Sequence, residues 1–179
     1  MAENGIWIFA YGSLMWRPGF EFTGVGPALL RGYHRALCLY SIVYRGTPEK
    51  PGLVMGLDRG GSCRGLAYKV AAREAGAALA MLDERELATN AYRRKLLKVR
   101  LDGGKTVKAH AYVIIRDHAQ YAGGLAQERV IEVLLQGHGP EGSSLDYLKN
   151  TVAHLDDLGI PDGPLHAILK KAILEKAEG

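Results

Sequence analysis

Two short stretches of the chain hold side chains whose type and spacing could do chemistry. The first is Leu82-Asp83-Glu84-Arg85-Glu86, three carboxylates and a guanidinium within five residues, followed by the apolar Leu87 and Ala88. In a helix, Glu86 falls on the side of Leu79 and Leu82, seven and four residues before it, whereas Asp83 and Glu84 reach water more easily. A carboxyl turned toward a core is desolvated and its pKa rises, which suits a general base or acid working near neutral pH. The alternative is a surface ion pair between Glu86 and Arg85 or Arg93, and the pattern alone leaves both readings open. The second stretch is Tyr11-Gly12-Ser13-Leu14, which closes an apolar run. Such a Gly-Ser turn can aim several backbone N–H groups at an anion such as a carboxylate, although glycine and serine also make ordinary turns.

Other chemistries find no support. The six histidines, His34, His110, His118, His138, His154 and His166, never stand at the i, i+4 spacing of a metal-binding helix or beside a cysteine pair. No metal and no other cofactor is expected. A G-x-S-x-G elbow and a P-loop are both missing from the sequence. Cys38 and Cys63 read as packed strand thiols, and two isolated thiols argue for a reducing cytosol and against a disulfide framework.

The elements that must position these residues are legible from the pattern. Residues 6–11 form a short run rich in β-formers, a buried strand that ends at the Gly-Ser turn. Pro18-Gly19 and residues 24–27 mark a loop, and residues 33–41, 53–57 and 64–70 are further strands. Residues 71–88, dense in Ala, Leu, Glu and Arg, predict one amphipathic helix. Leu97, Val99 and Leu101 alternate with Lys98 and Arg100, Asp102-Gly103-Gly104 turns the chain, and residues 106–116 return as a strand. The cluster Arg93-Arg94-Lys95 reads as a solvated strand entrance.

Three helices follow. Residues 125–136 make one; Ser143 or Ser144 caps a second that runs to about Leu158 with Leu145, Leu148, Val152 and Leu155 on one face. A third starts at Pro164 and carries Leu165, Ile168, Leu169, Ala172 and Ile173 at helical spacing. Strands first, one helix inserted, then helices, is an α+β order, and the 179 residues suit a single domain over 1–179. Lys and Arg exceed Asp and Glu by 23 to 19, a net charge of +4 spread along the chain, so neither nucleic acid nor membrane is expected as a partner. Nothing in the sequence specifies an oligomeric state.

Taken in order, these pieces resemble the ChaC family of glutathione-specific γ-glutamylcyclotransferases from about residue 6 to about residue 169. The resemblance is carried by Trp7-Ile8-Phe9-Ala10-Tyr11-Gly12-Ser13-Leu14-Met15-Trp16, by Tyr44-Arg45-Gly46-Thr47-Pro48 with Pro51-Gly52-Leu53-Val54, and by Arg64-Gly65-Leu66-Ala67-Tyr68. It continues in Leu82-Asp83-Glu84-Arg85-Glu86 with Tyr92, and in His138-Gly139-Pro140 through Asp146-Tyr147-Leu148-Lys149-Asn150. Two departures stand out: Thr89-Asn90-Ala91-Tyr92 replaces a common Gly-Gly-Tyr, and the segment Cys38 to Ser41 lacks the family's Trp-Gln pair.

The resemblance implies a γ-glutamylcyclotransferase-like fold, a small mixed β-barrel-like sheet flanked by helices. It implies that Glu86 is the catalytic base and that Ala10, Tyr11, Gly12, Ser13, Leu14 and Met15 bind the glutamyl α-carboxylate and α-amine of glutathione or another γ-glutamyl peptide. Arg45, Tyr112 and Tyr147 are further candidate contacts to that substrate, the two tyrosines being equally of the kind that packs a core. One carboxyl acting first as base and then as acid would need neither a second catalytic carboxylate nor a metal.

Overall fold

In the computed structural model, which describes residues 4–179, the chain forms a five-stranded closed barrel and four α-helices. The strands are β1 Ile6–Ala10, β2 Gly24–Ser41, β3 Gly52–Val70, β4 Tyr92–Leu101 and β5 Thr106–Ile114, joined in the order β1-β3-β2-β4-β5. β1 is antiparallel to β3 and parallel to β5, so the sheet is mixed as expected. The helices are α1 Ala72–Glu86, α2 Gln127–Gln136, α3 Ser144–Asp157 and α4 Gly163–Glu178. The chain divides into two compact units, one reaching to Arg35 and resuming over Leu57–His118, the other made of Ala36–Gly56 and Ala119–Gly179.

In the first unit β1 is the most enclosed strand, with Ile8, Phe9 and Ala10 buried. Gly65 crosses it so closely that a Cβ there would lie 2.2 Å from the Ala10 carbonyl oxygen, so the crossing requires glycine. The hairpin β4–β5 turns at Gly103 and Gly104, whose φ of 87° and 94° belong to the left-handed region. Two expectations need correction. Residues 24–27, read as loop, open β2, because Ala28, Leu29 and Leu30 pair with Leu101, Arg100 and Val99 and extend the strand back through Pro27. Residues 53–57 and 64–70 belong to one strand, β3, which continues through Gly60 and Gly61 at φ of 105° and 68°.

In the second unit α2, α3 and α4 pack together around Ile131, Leu145 and Ala172, with Leu135, Ile168 and Leu169 against them. Leu145, Leu148, Val152 and Leu155 are all buried, as their spacing predicts, but Ile173 is exposed. Ser143 caps α3, its hydroxyl accepting from the Asp146 amide at 3.0 Å, and the Asp162 carboxylate caps α4 at the Leu165 amide. A two-rung hairpin, His138–Gly139 with Gly142–Ser143, joins α2 to α3 and was not anticipated; two-residue strands leave no periodicity to read.

His166 near the start of α4 offers a test of this packing. Its Nδ1 faces the Asp162 carbonyl and its Nε2 the Asp156 carboxylate, each at 2.7 Å. Only the imidazolium can donate to both, and the two acceptors raise the histidine pKa, the Asp162 carbonyl contributing most. A raised folded pKa means that the contact stabilises fully below the unfolded value and that this stability is lost as the pH climbs through the folded one. The difference in Tm between wild type and His166→Gln should therefore be largest in mild acid and narrow at alkaline pH; a gap that ignores pH would show that the ring charge plays no part.

Candidate active site

β1 ends at Ala10, and Tyr11 and Gly12 lead into a single 3-10 turn, Ser13–Met15. The amides of Met15 and Arg17 close the turn on the carbonyls of Gly12 and Ser13 at 2.9 and 2.8 Å. From β3, the Tyr68 hydroxyl donates to the carbonyls of Leu14 and Met15 at 3.0 and 2.9 Å. Tyr68 lies edge-on to Phe20 and Phe22, with ring centroids 5.4 and 4.9 Å apart, and burial raises its pKa, so the hydroxyl keeps the proton it donates. The buried Arg35 of β2 donates from Nε to the Tyr11 carbonyl at 2.5 Å and from Nη2 to the Arg64 carbonyl at 2.6 Å. Gly12 is buried, yet a Cβ added to it would meet no atom within 4 Å. The turn is thus clamped from below and open at its glycine.

Glu86 is the last residue of α1, whose end is marked by the Leu87 amide on the Asp83 carbonyl at 2.9 Å. Its side chain is 19% exposed, and burial pushes its carboxyl pKa up while the Arg85 guanidinium pulls it part of the way back. Both readings of the pattern therefore hold in part, since Glu86 is turned inward and its Oε1 also lies 3.6 Å from Arg85 Nε. The same guanidinium donates from Nη2 to Ser13 Oγ at 2.8 Å and from Nη1 to the Arg17 carbonyl at 3.2 Å. One side chain joins the carboxylate to the Gly-Ser turn.

Asp83 does not reach for water as expected. Its Oδ2 pairs with Arg94 Nη1 at 2.8 Å, and its Oδ1 accepts from the Tyr112 hydroxyl at 2.7 Å. Arg94 and Tyr112 face each other across the β4–β5 ladder, so one rung of the hairpin presents a cation and a hydroxyl to α1. This corrects the assignment of Arg94 to a solvated strand entrance. Sequence reasoning missed the triad, although Asp83 stands one helical turn before Glu86 and so shares its face. His110, two residues before Tyr112 on β5, has its pKa lowered by burial and by Arg94, against a smaller pull from Asp83.

Among the expected substrate contacts, Tyr112 is a fully buried residue whose hydroxyl is committed to Asp83, and burial with that hydrogen bond drives its pKa far up. Arg45 and Tyr147 belong to the second unit, where they meet each other, the guanidinium carbon 5.6 Å from the ring centroid. Arg45 Nη1 donates to the Glu141 carbonyl at 2.6 Å, and the Tyr147 hydroxyl accepts from the Met55 amide at 3.1 Å. Asn90, where the family resemblance has glycine, adopts φ of 57°, a left-handed conformation that asparagine tolerates. Among the described residues no three His, Cys, Asp or Glu side chains gather as a metal site would require.

The family profile described as ChaC-like protein matches residues 6–174. This chain belongs to the ChaC-like family. It is 34% identical to the glutathione-specific γ-glutamylcyclotransferase of Escherichia coli over 97% of this chain and 76% of that protein. It is 33% identical to glutathione-specific γ-glutamylcyclotransferase 1 of Homo sapiens over 81% of this chain and 67% of that protein. Its fold matches the crystal structure of a yeast γ-glutamylcyclotransferase specific to glutathione with a TM-score of 0.85 at 23% identity, covering 94% of this chain and 96% of that one. The γ-glutamylcyclotransferase-like fold expected from the motifs is the fold observed.

Tyr112→Phe tests whether that hydroxyl serves structure. Removing the buried donor to Asp83 should lower stability by about 1–3 kcal/mol, measured by urea unfolding. Normal stability in the variant would contradict the network described for Asp83.

Proposed function

We propose that this chain cleaves glutathione to 5-oxoproline and cysteinylglycine, with Glu86 as the proton carrier. The observation that carries the reading is a mostly buried carboxyl with a raised pKa, tied through one guanidinium to an open Gly-Ser turn. The names of the Escherichia coli and Homo sapiens relatives support glutathione as the substrate.

The γ-glutamyl group carries its own nucleophile. With the substrate α-carboxylate held at the turn of residues 10–15, the α-amine folds back on its own γ-carbonyl, and Glu86 takes a proton from it. The amine lone pair then forms the C–N bond of a five-membered lactam as the carbonyl electrons move onto oxygen. Collapse of that tetrahedral intermediate breaks the bond to the cysteinyl nitrogen, which leaves with the proton Glu86 returns, and the second proton lost by the ring nitrogen passes to the freed amine, which ends as an ammonium. Holding amine and carbonyl about 3–3.5 Å apart makes the attack intramolecular, an advantage that reaches about 7–11 kcal/mol in well-oriented systems. A carboxyl whose pKa burial has raised is better matched to this exchange than an ordinary one, because a base and acid in turn works best near the operating pH. The same chemistry would accept other γ-glutamyl amines.

The two cysteines are free and buried, which fits a reducing cytosol, and no helix among the described residues is long and apolar enough to cross a membrane. A ligand-binding role without turnover is the alternative.

Glu86→Gln separates them. The variant should fold and bind glutathione while 5-oxoproline release falls by a factor on the order of 100 or more. Unchanged turnover would remove Glu86 from its role, and absence of 5-oxoproline from the wild type with glutathione and with γ-glutamyl-alanine would favour the binding role.

A further inference from the structure

Arg85 touches both halves of the site, and no step of the reaction above employs it. Its guanidinium divides three ways: Nε faces the Glu86 carboxylate at 3.6 Å, Nη2 donates to Ser13 Oγ at 2.8 Å, and Nη1 donates to the Arg17 carbonyl at 3.2 Å. A planar fork with three partners at fixed angles has one orientation that serves them all, which an ammonium on a flexible stem does not reproduce. The other carboxylates of the helix end do not account for it. Asp83 is taken by Arg94 and Tyr112, and Glu84 is exposed. We propose that Arg85 is the positioning residue of this site, holding the Ser13 turn against the end of α1 with its fork and supplying the counter-charge of Glu86. The inference rests on the reading of Glu86 as the proton carrier and adds how that carboxyl is kept ionisable and in register with the turn.

The two tasks separate chemically. Without a positive charge at residue 85, burial acts on Glu86 unopposed; the carboxyl holds its proton to higher pH, and less of the protein carries a base at neutrality. Without the fork, the turn loses its tether to α1 whatever charge remains. Of the other ionisable groups near the end of α1, Arg94 of β4 and Tyr112 of β5 are bound to Asp83, and His110 of β5 responds to Arg94 and Asp83. The charge that acts on Glu86 is that of Arg85.

Arg85→Met removes both tasks and Arg85→Lys restores only the charge. In Arg85→Met the acid limb of the kcat profile should move to higher pH, and KM for glutathione should rise. In Arg85→Lys the limb should return to its wild-type position while KM stays raised. An arginine of merely structural importance would lower Tm and scale activity equally at every pH, leaving the limb in place. Carbon-13 NMR titration of the Glu86 carboxyl, its signal assigned by loss in Glu86→Gln, reads the same shift without turnover, so a protein inactive on glutathione still answers the question. If Glu86 titrates at one pH in wild type, Arg85→Met and Arg85→Lys, the proposal is overturned. Should Arg85→Met not fold, Arg85→Lys decides alone: raised KM with an unmoved limb supports the fork, and unchanged KM overturns it.

Discussion

A carboxylate at the C-terminal end of a helix stands against the backbone dipole, and taking it out of water costs more still. Glu86 accepts both penalties, and the arrangement around it follows from how they are offset. Its direct counter-charge is Arg85, which is itself fixed by the hydroxyl of Ser13 and the carbonyl of Arg17. A guanidinium can hold a carboxylate in place only if its other partners are rigid. The turn of residues 13–15 is therefore bound from β3 by the Tyr68 hydroxyl and, just before it, from β2 by the buried Arg35. Gly65 lets β3 approach β1 closely enough for these contacts to form where the strand ends.

The second unit is built on a different principle, close backbone approach. Gly46, Gly52, Gly137 and Gly139 each lie so close to other backbone that an added Cβ would fall within 3 Å of it, at atoms of Ser41, Tyr44, Arg45, Pro51 and Gly52. Ser144 adds a pair of bonds, its hydroxyl accepting from the Leu53 amide at 2.8 Å and donating to the Leu53 carbonyl at 2.7 Å. Arg45 is held inside this frame by its bond to the Glu141 carbonyl and its stacking on Tyr147. A cation so constrained presents a fixed direction.

Much of this was legible in the sequence, where local pattern decides structure. The β4–β5 hairpin, the stripe of α3 and the strand-to-turn transition at Gly12 each follow from alternation, helical spacing or a turn signal within a dozen residues. What escaped depended on partners far along the chain. The start of β2 reads as loop until Ala28 to Leu30 find Val99 to Leu101, and Gly60-Gly61 reads as a break until β3 is seen to bend through it. The inward turn of Glu86 could be argued from Leu79 and Leu82, but no local rule announces that Arg94 and Tyr112, opposite each other on a separate hairpin, would meet Asp83.

That missed triad leaves the two carboxylates at the end of α1 held in different ways. Asp83 and Glu86 lie three residues apart on one face of α1. The structure gives Asp83 a guanidinium and a hydroxyl at hydrogen-bond distance, which fixes it as an acceptor with both oxygens engaged. Glu86 receives a single cation at longer range, with burial prevailing over it. Asp83 is thereby tied to the β4–β5 hairpin, whereas Glu86 is linked through Arg85 to the Gly-Ser turn. The difference between the two carboxylates thus comes from the number and distance of their partners, and not from residue type.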